Sequence, residues 1–168
     1  MMLPDFPEDE VCFVDANILY YHFVETPSFS EICSDFLKRI ESGKVIGYSS
    51  TAVLAEAIHK VMLAEVVSRW NLPRKGLVSR LQRRSDLVSQ LSEHLQVIPT
   101  IQALNFRIES VTLDLLNLAT QISIQHTLLT NDALIVAVMQ QENLTHLATN
   151  DDDFDTIPGL TIWKPRPS

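Results

Sequence analysis

The chain has 168 residues, of which 46% are hydrophobic and 20% are charged, a composition typical of one globular domain. This composition excludes disordered, collagen-like and coiled-coil sequences, and no apolar run approaches the roughly 20 residues that cross a bilayer. The net charge of −8 argues against a general nucleic-acid coat, because such proteins are normally basic. We therefore expect a single domain over residues 1–168 that does not associate with a membrane.

Short apolar strands alternate with helices along the chain. In chain order we predict a strand at 11–14, helices at 17–23 and 28–42, a strand at 45–48, a helix at 52–70, a basic helix ending near 94, a strand at 95–98, two helical stretches within 103–124, a helix at 132–141, and strands at 145–148 and 160–163. Gly43 and Pro73 are placed to end the second and third helices. The alternation predicts an α/β fold with a mostly parallel sheet of about four or five short strands flanked by helices.

The two cysteines and the first residues bear on the cellular compartment. Cys12 and Cys33 lie in a predicted buried strand and a predicted helix, and no Cys/His metal spacing occurs. The first five residues lack the basic and hydrophobic regions of a secretory signal. Buried free thiols fit a reducing environment, so we expect a cytoplasmic protein.

Four acidic residues stand beside otherwise apolar sequence. Asp15 directly follows the first strand, Asp151 closely follows the strand at 145–148, and Asp132 and Glu56 lie near the starts of two helices. Because the carboxyl ends of parallel strands meet at one edge of a sheet, these four acids are able to meet there. Clustered carboxylates repel one another unless a cation neutralises them, and Mg²⁺ or Mn²⁺ is suited to oxygen ligands.

Each acid also has a purely structural interpretation. Asp15 is able to cap a helix, Glu56 to lie on a helix surface, and Asp132 to complement a helix N-terminus. We expect Asp152 and Asp155 to be solvated residues of an acidic loop. The order and context of the four acids together, rather than any single acid, favour a functional site.

Four segments carry these acids: 14–19 (VDANIL), 51–56 (TAVLAE), 130–135 (TNDALI), and 149–154 (TNDDDF) followed by 157–160 (IPGL). In this order they resemble the motifs of the PIN-domain ribonucleases, a family that includes the VapC-like toxins. The resemblance covers roughly residues 11–165. It implies a PIN-like fold, homodimers, and an endoribonuclease that depends on Mg²⁺ or Mn²⁺ and that, in toxin members, is held by an antitoxin protein.

The resemblance also implies roles for individual residues. Asn17 would support the first motif, although a helix cap is an equally good interpretation, and Thr149 would orient the closing acids or a water through its hydroxyl group. The metal-binding and catalytic acids of the family pattern fall on Asp15, Glu56, Asp132 and Asp151, with Asp153 as a variable additional metal ligand.

A basic segment separates the second and third motifs. From 60 to 85 there are seven basic residues and one acidic residue, a charge of +6 that leaves −14 for the rest of the chain. The interval is longer than in compact toxin members, so we treat about 60–94 as a helical elaboration of the domain. It is the candidate RNA-backbone contact, with a solvated face or an antitoxin-binding surface as alternatives. The candidate RNA-binding residues are Lys60, Arg69, Arg74, Lys75, Arg80, Arg83 and Arg84.

Other classes of protein fit the sequence less well. A catalytically silent PIN-like module that binds RNA or a protein remains the main alternative. An aspartyl-phosphate phosphatase would carry Asp-x-Asp after the first strand, where this chain has Asn17 in the third position. A phospho-receiver domain would need a lysine near the last strands, and Lys164 is the one late lysine.

Overall fold

The computed structural model describes residues 1–167. Within this range the strands are β1 (Val11–Val14), β2 (Ile46–Ser50), β3 (Arg107–Glu109), β4 (His146–Ala148) and β5 (Thr161–Trp163). The α-helices are α1 (Ala16–Phe23), α2 (Ser30–Glu41), α3 (Thr51–Trp70), α4 (Leu77–Leu81), α5 (Ser85–Val88), α6 (Val97–Ala103), α7 (Leu113–His126) and α8 (Thr130–Gln141). Short 3₁₀ turns occupy Leu3–Asp5, Glu93–Gln96 and Asp152–Phe154.

The five strands form one sheet in the order β3-β2-β1-β4-β5, and every pairing is parallel. The predicted α/β fold with a parallel sheet flanked by helices is therefore confirmed. The order along the sheet reverses beside β1, because β2 lies on one side of it and β4 on the other. Ligands of such sheets bind in the crevice outside the carboxyl ends of the strands at this reversal. Here that crevice lies between the ends of β1 and β4.

The main hydrophobic core lies against both faces of the central strands. Residues Cys12 to Val14 of β1 are fully buried, and α8 buries seven consecutive residues from Ala133 to Met139. Such all-round burial explains why the sequence of α8 is apolar on every face. The two cysteines are buried and free, as the sequence predicts, and burial raises the pKa of the Cys33 thiol to about 12. Both thiols are thus poor nucleophiles.

A second, smaller hydrophobic cluster lies under the basic elaboration and consists of Val66, Leu77, Leu81, Leu87 and Leu91. The continuous basic helix predicted to end near 94 is wrong, since this stretch folds as α4, α5 and a 3₁₀ turn. The physical reason is the spacing of the apolar residues. Leu81 and Leu87 are six residues apart and would point in different directions on one helix, so a turn between them brings both into the cluster.

Buried Glu65 fixes the end of this elaboration. Its carboxylate accepts hydrogen bonds from the backbone N–H groups of Ser92, at 3.0 Å, and Glu93, at 3.0 Å, and it is 3% exposed. A buried carboxylate is stable only with such partners. The single acid inside the basic segment therefore has a structural role.

Two further predictions of secondary structure are wrong. The predicted strand at 95–98 is a 3₁₀ turn that continues into α6, where Pro99 occupies the first helical turn and needs no intrahelical N–H partner. The strand beside β2 at one edge of the sheet is β3 instead, and it lies within a region predicted to be helical. Its sequence, Arg-Ile-Glu, holds one apolar residue, so it lacks the apolar pattern of a strand.

The boundaries of α2 illustrate a smaller difference. The helix begins at Ser30 rather than 28, because Ser28 adopts a left-handed backbone conformation with φ of 74°. Gly43, with φ of 76°, follows the helix as predicted.

In the part of the chain that the structure describes, no single helix is long and apolar enough to cross a membrane. α7 and α8 satisfy that requirement only as a pair, and they are bent by 112° at their junction. The predicted domain, 1–168, ends at Ser168, which lies outside the described residues.

Candidate active site

Asp15 lies at the centre of a hydrogen-bond network between the ends of β1 and β4. Its carboxylate caps α1 by accepting from the Ala16 amide at 2.5 Å, and it also accepts from Asn17 Nδ2 at 2.5 Å and Thr149 Oγ1 at 2.7 Å. The Asp15 amide donates to the carbonyl of Ala148 at 3.0 Å. Because β1 and β4 are adjacent, residues 134 positions apart share this network.

Asn17 and Thr149 connect the first and last motifs. The Asn17 side chain donates to Thr149 Oγ1 and accepts from the amide of Asn150, both at 3.0 Å. Thr149 Oγ1 also accepts from the amide of Asp151 at 3.0 Å. The two predicted supporting residues thus fix the backbone on which Asp151 is carried.

Glu56, on α3, reaches toward the same crevice and is held by two partners. Its Oε1 forms an ion pair with Lys60 Nζ at 2.7 Å, one helical turn along α3, and its Oε2 accepts from Asn131 Nδ2 of α8 at 3.1 Å. Partial burial by itself would lower the pKa of Lys60, but the carboxylates of Glu56 and Asp15 raise it. Lys60, predicted as an RNA contact, therefore lies among the acids.

The electrostatics of Asp15 and Asp132 show that the predicted acids act on one another. Burial, together with the negative charges of Asp151, Asp153 and Glu56, raises the pKa of Asp132 to about 6. Burial also raises the pKa of Asp15 to about 6, although the Thr149 hydrogen bond and Lys60 oppose the shift. Carboxylates whose pKa values are raised by burial and by like charges are typical of functional sites.

The side chains of this acid cluster suit a hard divalent cation, because every potential ligand atom is a carboxylate oxygen. A carboxylate offers about four acceptor positions, and three hydrogen bonds to Asp15 leave room for a ligand bond. Among residues 1–167, however, no three His, Cys, Asp or Glu side chains lie close enough to form an assembled metal site. The carboxylates thus supply suitable ligands but are not drawn together around a common point.

The four aspartates of the closing loop, residues 151–155, fall into two groups. Asp151 and Asp153 act electrostatically on Asp132, whereas Asp152 and Asp155 form ion pairs with Lys164 at 3.0 and 3.1 Å. The expectation that Asp152 and Asp155 are simply solvated is therefore incomplete, because each has a fixed cationic partner.

Sequence reasoning missed three residues that support the site. Asn131 bonds to Glu56, Asn150 Nδ2 donates to the Tyr21 hydroxyl at 3.0 Å, and Lys164 holds the closing loop. The two asparagines carry a visible signal, since each directly precedes a predicted ligand in the repeated tripeptide Thr-Asn-Asp, which ends at Asp132 in one copy and at Asp151 in the other. Lys164 carries no such signal.

An apolar groove of about 430 Å³ connects the site with the elaboration. Asn17 and Lys60 lie at its walls, as do Arg74 and the first residues of α4, and no acidic residue of the described chain lines it. The remaining walls are formed by Tyr20, Tyr21, Leu63, Ala64 and Val67.

The other predicted RNA contacts fall into two groups, those that pair with an acidic residue and those that form no ion pair. Arg69 donates to the Gln90 carbonyl and lies 3.6 Å from Glu65, and Arg84 pairs with Asp86 at 2.8 Å, so both have structural partners. Among the predicted RNA contacts, the residues that form no ion pair within residues 1–167 are Arg74, Lys75, Arg80 and Arg83.

A parallel sheet with acids at the crevice beside its central strand is the arrangement that the PIN resemblance implies. The family model of the PIN domain matches residues 12–160, and the chain belongs to this family. Ribonuclease VapC6 of Methanocaldococcus jannaschii is 25% identical over 152 residues, which cover 90% of this chain and 95% of that protein.

Solved structures share the fold over nearly the whole chain. The crystal structure of Mycobacterium tuberculosis VapC20, described as a toxin that cleaves the sarcin–ricin loop, is 18% identical with a TM-score of 0.59 and covers 88% of this chain and 95% of its own. A toxin–antitoxin complex from Klebsiella pneumoniae is 16% identical with a TM-score of 0.58, covering 94% of this chain and 99% of its own.

The raised pKa of Asp132 predicts how metal-free stability depends on pH. A carboxyl group with a pKa near 6 in the folded state and about 3.8 when unfolded binds more protons when folded, so stability falls as pH rises from about 4 to 6. We expect Asp132→Asn to raise Tm at pH 7 by about 3 °C, or about 1 kcal/mol once solvent screening of this half-exposed group is allowed for. The gain should vanish at pH 4 in a thermal denaturation series.

Asp15→Asn provides the contrast, because an amide is unable to accept the three hydrogen bonds that reach the Asp15 carboxylate. We expect no gain in Tm from this variant, and none from Asp114→Asn on the exposed surface of α7. A pH-independent effect of Asp132→Asn would contradict the electrostatic account of its pKa.

Proposed function

We propose that this protein is a divalent-metal-dependent endoribonuclease that cleaves RNA phosphodiester bonds. The observation that carries the proposal is the group of interacting carboxylates at the crevice between β1 and β4, in a chain of the PIN domain family. The similar M. jannaschii protein is named a ribonuclease, which supports the same substrate class.

In this proposal Mg²⁺ or Mn²⁺ is held by Asp15, Glu56, Asp132 and Asp151, with Asp153 as an additional ligand. When bound, such an ion lowers the pKa of a coordinated water and stabilises negative charge that develops on the phosphate. The donor chemistry of the cluster supports this choice, as does the residual repulsion among its acids.

The protein's own residues orient the carboxylates. Thr149 and Asn17 hold the Asp15 side chain through hydrogen bonds, and Asn131 holds Glu56. Lys60 balances part of the negative charge before a substrate arrives. Because Lys60 also lines the groove, its ammonium group is placed to contact an RNA phosphate that enters from that side.

Removal of a single ligand charge tests the proposal. We expect Asp15→Asn and Asp132→Asn each to lower the cleavage rate of a fluorescent single-stranded RNA by about 1,000-fold or more, because a bound metal contributes several kcal/mol to transition-state stabilisation. Chelation with EDTA should stop wild-type cleavage, and added Mg²⁺ or Mn²⁺ should restore it.

The exposed Asp114→Asn variant is the matched control and should cleave normally, with circular dichroism verifying the fold of all three. Near-normal cleavage by Asp15→Asn would contradict the site assignment. A wild-type protein that binds RNA without cutting it would instead support the alternative, a catalytically silent PIN-like module.

We also propose that the groove cation Arg74 contacts the RNA backbone. It forms no ion pair with any described residue, and it lies on the same groove as Lys60. Arg74→Glu should weaken RNA binding and reduce the salt slope by about 0.7 per lost phosphate contact, measured by fluorescence anisotropy at several salt concentrations.

The control is Lys38→Glu, an equal change of charge on α2. Turnover at saturating RNA should stay near normal in both variants, since a backbone contact binds ground and transition states alike. Equal salt slopes for Arg74→Glu and wild type would show that the groove does not hold RNA.

An antitoxin protein is the partner that the toxin–antitoxin complex from K. pneumoniae suggests. A small DNA-binding protein encoded beside this gene and binding this chain in solution would support that proposal. Absence of such a neighbour would favour a solitary RNA-processing nuclease.

Cytoplasmic location is proposed on the buried, unpaired thiols of Cys12 and Cys33.

A homodimer through α7 is proposed on its exposed apolar residues. Leu113 and Ile124 are 80% and 86% exposed and lie three helical turns apart on one face, with Leu129 at 77% beyond the helix end. Ile124→Glu should convert a dimer to a monomer in sedimentation velocity, while Leu95→Glu, at another exposed apolar position, should not. A wild-type monomer at high concentration would contradict the proposal.

A further inference from the structure

We propose that Lys164 is a positioning residue that holds the closing acidic loop, 151–155, so that Asp151 and Asp153 remain directed to the acid cluster. This inference rests on the proposed function, because it concerns the metal ligands of that site. Lys164 follows β5. Among the described residues, its ammonium group bonds to the backbone carbonyl of Asp151 but to no carboxylate of a predicted metal ligand. Its role is to orient the loop, not to contact the substrate.

The loop contains four aspartates in five residues and is therefore strongly self-repelling. Asp151 precedes the 3₁₀ turn Asp152–Phe154 and caps it, since its Oδ1 accepts from the amide of Asp153 at 3.0 Å. Phe154, 1% exposed, anchors the turn in the core. The turn thus places Asp151 and Asp153 near Asp132, and Asp152 and Asp155 beside Lys164.

Lys164 binds three acceptors of this loop, none of which is a carboxylate of a proposed metal ligand. Its ammonium group donates to the backbone carbonyl of Asp151, and it pairs with the carboxylates of Asp152 at 3.0 Å and Asp155 at 3.1 Å. An ammonium group has three protons, so these three acceptors use its full capacity. The main chain of Asp151 is thereby held while its carboxylate is left for the cluster.

Burial makes this arrangement rigid. The Lys164 side chain is 9% exposed, and a lysine is buried to this extent only when its charge is paired. Its backbone is also fixed on both sides: its carbonyl accepts from the Leu3 amide at 2.8 Å, and its amide donates to the Met1 carbonyl at 2.9 Å. The Lys164 ammonium group therefore has a fixed position, and its three bonds hold the loop in place.

The test measures loop order and metal affinity separately. In Lys164→Met we expect the amides of Asp151 and Asp153 to exchange hydrogen at least about 10-fold faster, and the dissociation constant for Mg²⁺, measured by calorimetry, to rise about 10-fold or more, an effect of the size seen when a residue that orients metal ligands without touching the metal is lost. Lys164→Arg should recover part of both properties. Lys38→Met, at an exposed ion pair on α2, is the matched control and should change neither.

A second variant covers the case in which Lys164→Met does not fold. The double change Asp152→Asn and Asp155→Asn removes both carboxylates that pair with Lys164 and none of the proposed ligands. It should also raise the Mg²⁺ dissociation constant several-fold, whereas Asp35→Asn with Asp114→Asn, an equal change of charge elsewhere, should not.

The outcomes separate this inference from the proposed function. Unchanged exchange at Asp151 and Asp153 in either loop variant would overturn it, and so would faster exchange with wild-type Mg²⁺ affinity, because Lys164 would then be only structural. A wild-type protein that binds neither Mg²⁺ nor Mn²⁺ would overturn the proposed metal site and, with it, the positioning of ligands by Lys164. A wild-type protein that binds Mg²⁺ without cutting RNA would overturn the nuclease proposal and leave the positioning role supported by the affinity data.

Discussion

The hydrogen bonds that hold the buried carboxylate of Asp15 are the interaction on which the rest of the site depends. This side chain is 6% exposed, and a carboxylate so far from water is stable only when several donors surround it. The donors come from the start of α1 and from Thr149, which follows β4. Because β1 and β4 are neighbours in the sheet, one network joins residues 15–17 to residues 149–151 and sets the crevice where the acids meet.

The ion pairs of two lysines then determine which of the other acids keep an uncompensated negative charge. Lys60 pairs with Glu56 on one side of the site, and Lys164 pairs with both Asp152 and Asp155 in the closing loop. In the described chain, Asp132, Asp151 and Asp153 form no ion pair, and burial together with this remaining negative charge raises the pKa of Asp132. A bound divalent cation would relieve this repulsion, which links the electrostatics of the metal-free protein to its proposed chemistry.

The basic elaboration depends on its own small core rather than on the sheet. Its leucines pack on the end of α3, and the buried carboxylate of Glu65 fixes the turn that leads into α6. This packing places Arg74 and the first residues of α4 on the groove that reaches Lys60. An acidic protein thereby places Arg74, which forms no ion pair with a described residue, on the same groove as Lys60.

The sequence by itself determined the α/β class, the central strands, the buried helix α8 and the positions of the acids, because each of these depends on a local pattern of apolar and acidic residues. Only the tertiary structure decided the edge strand β3, since three residues with one apolar side chain become a strand by pairing with β2 rather than by their own preference. It also decided the partners of the lysines: Lys60 resembles the other basic residues of its segment, and Lys164 is one residue of a polar tail. A long, flexible side chain is able to reach several partners, so the partner that it pairs with depends on which acids the folded chain brings within about 3 Å of its charge.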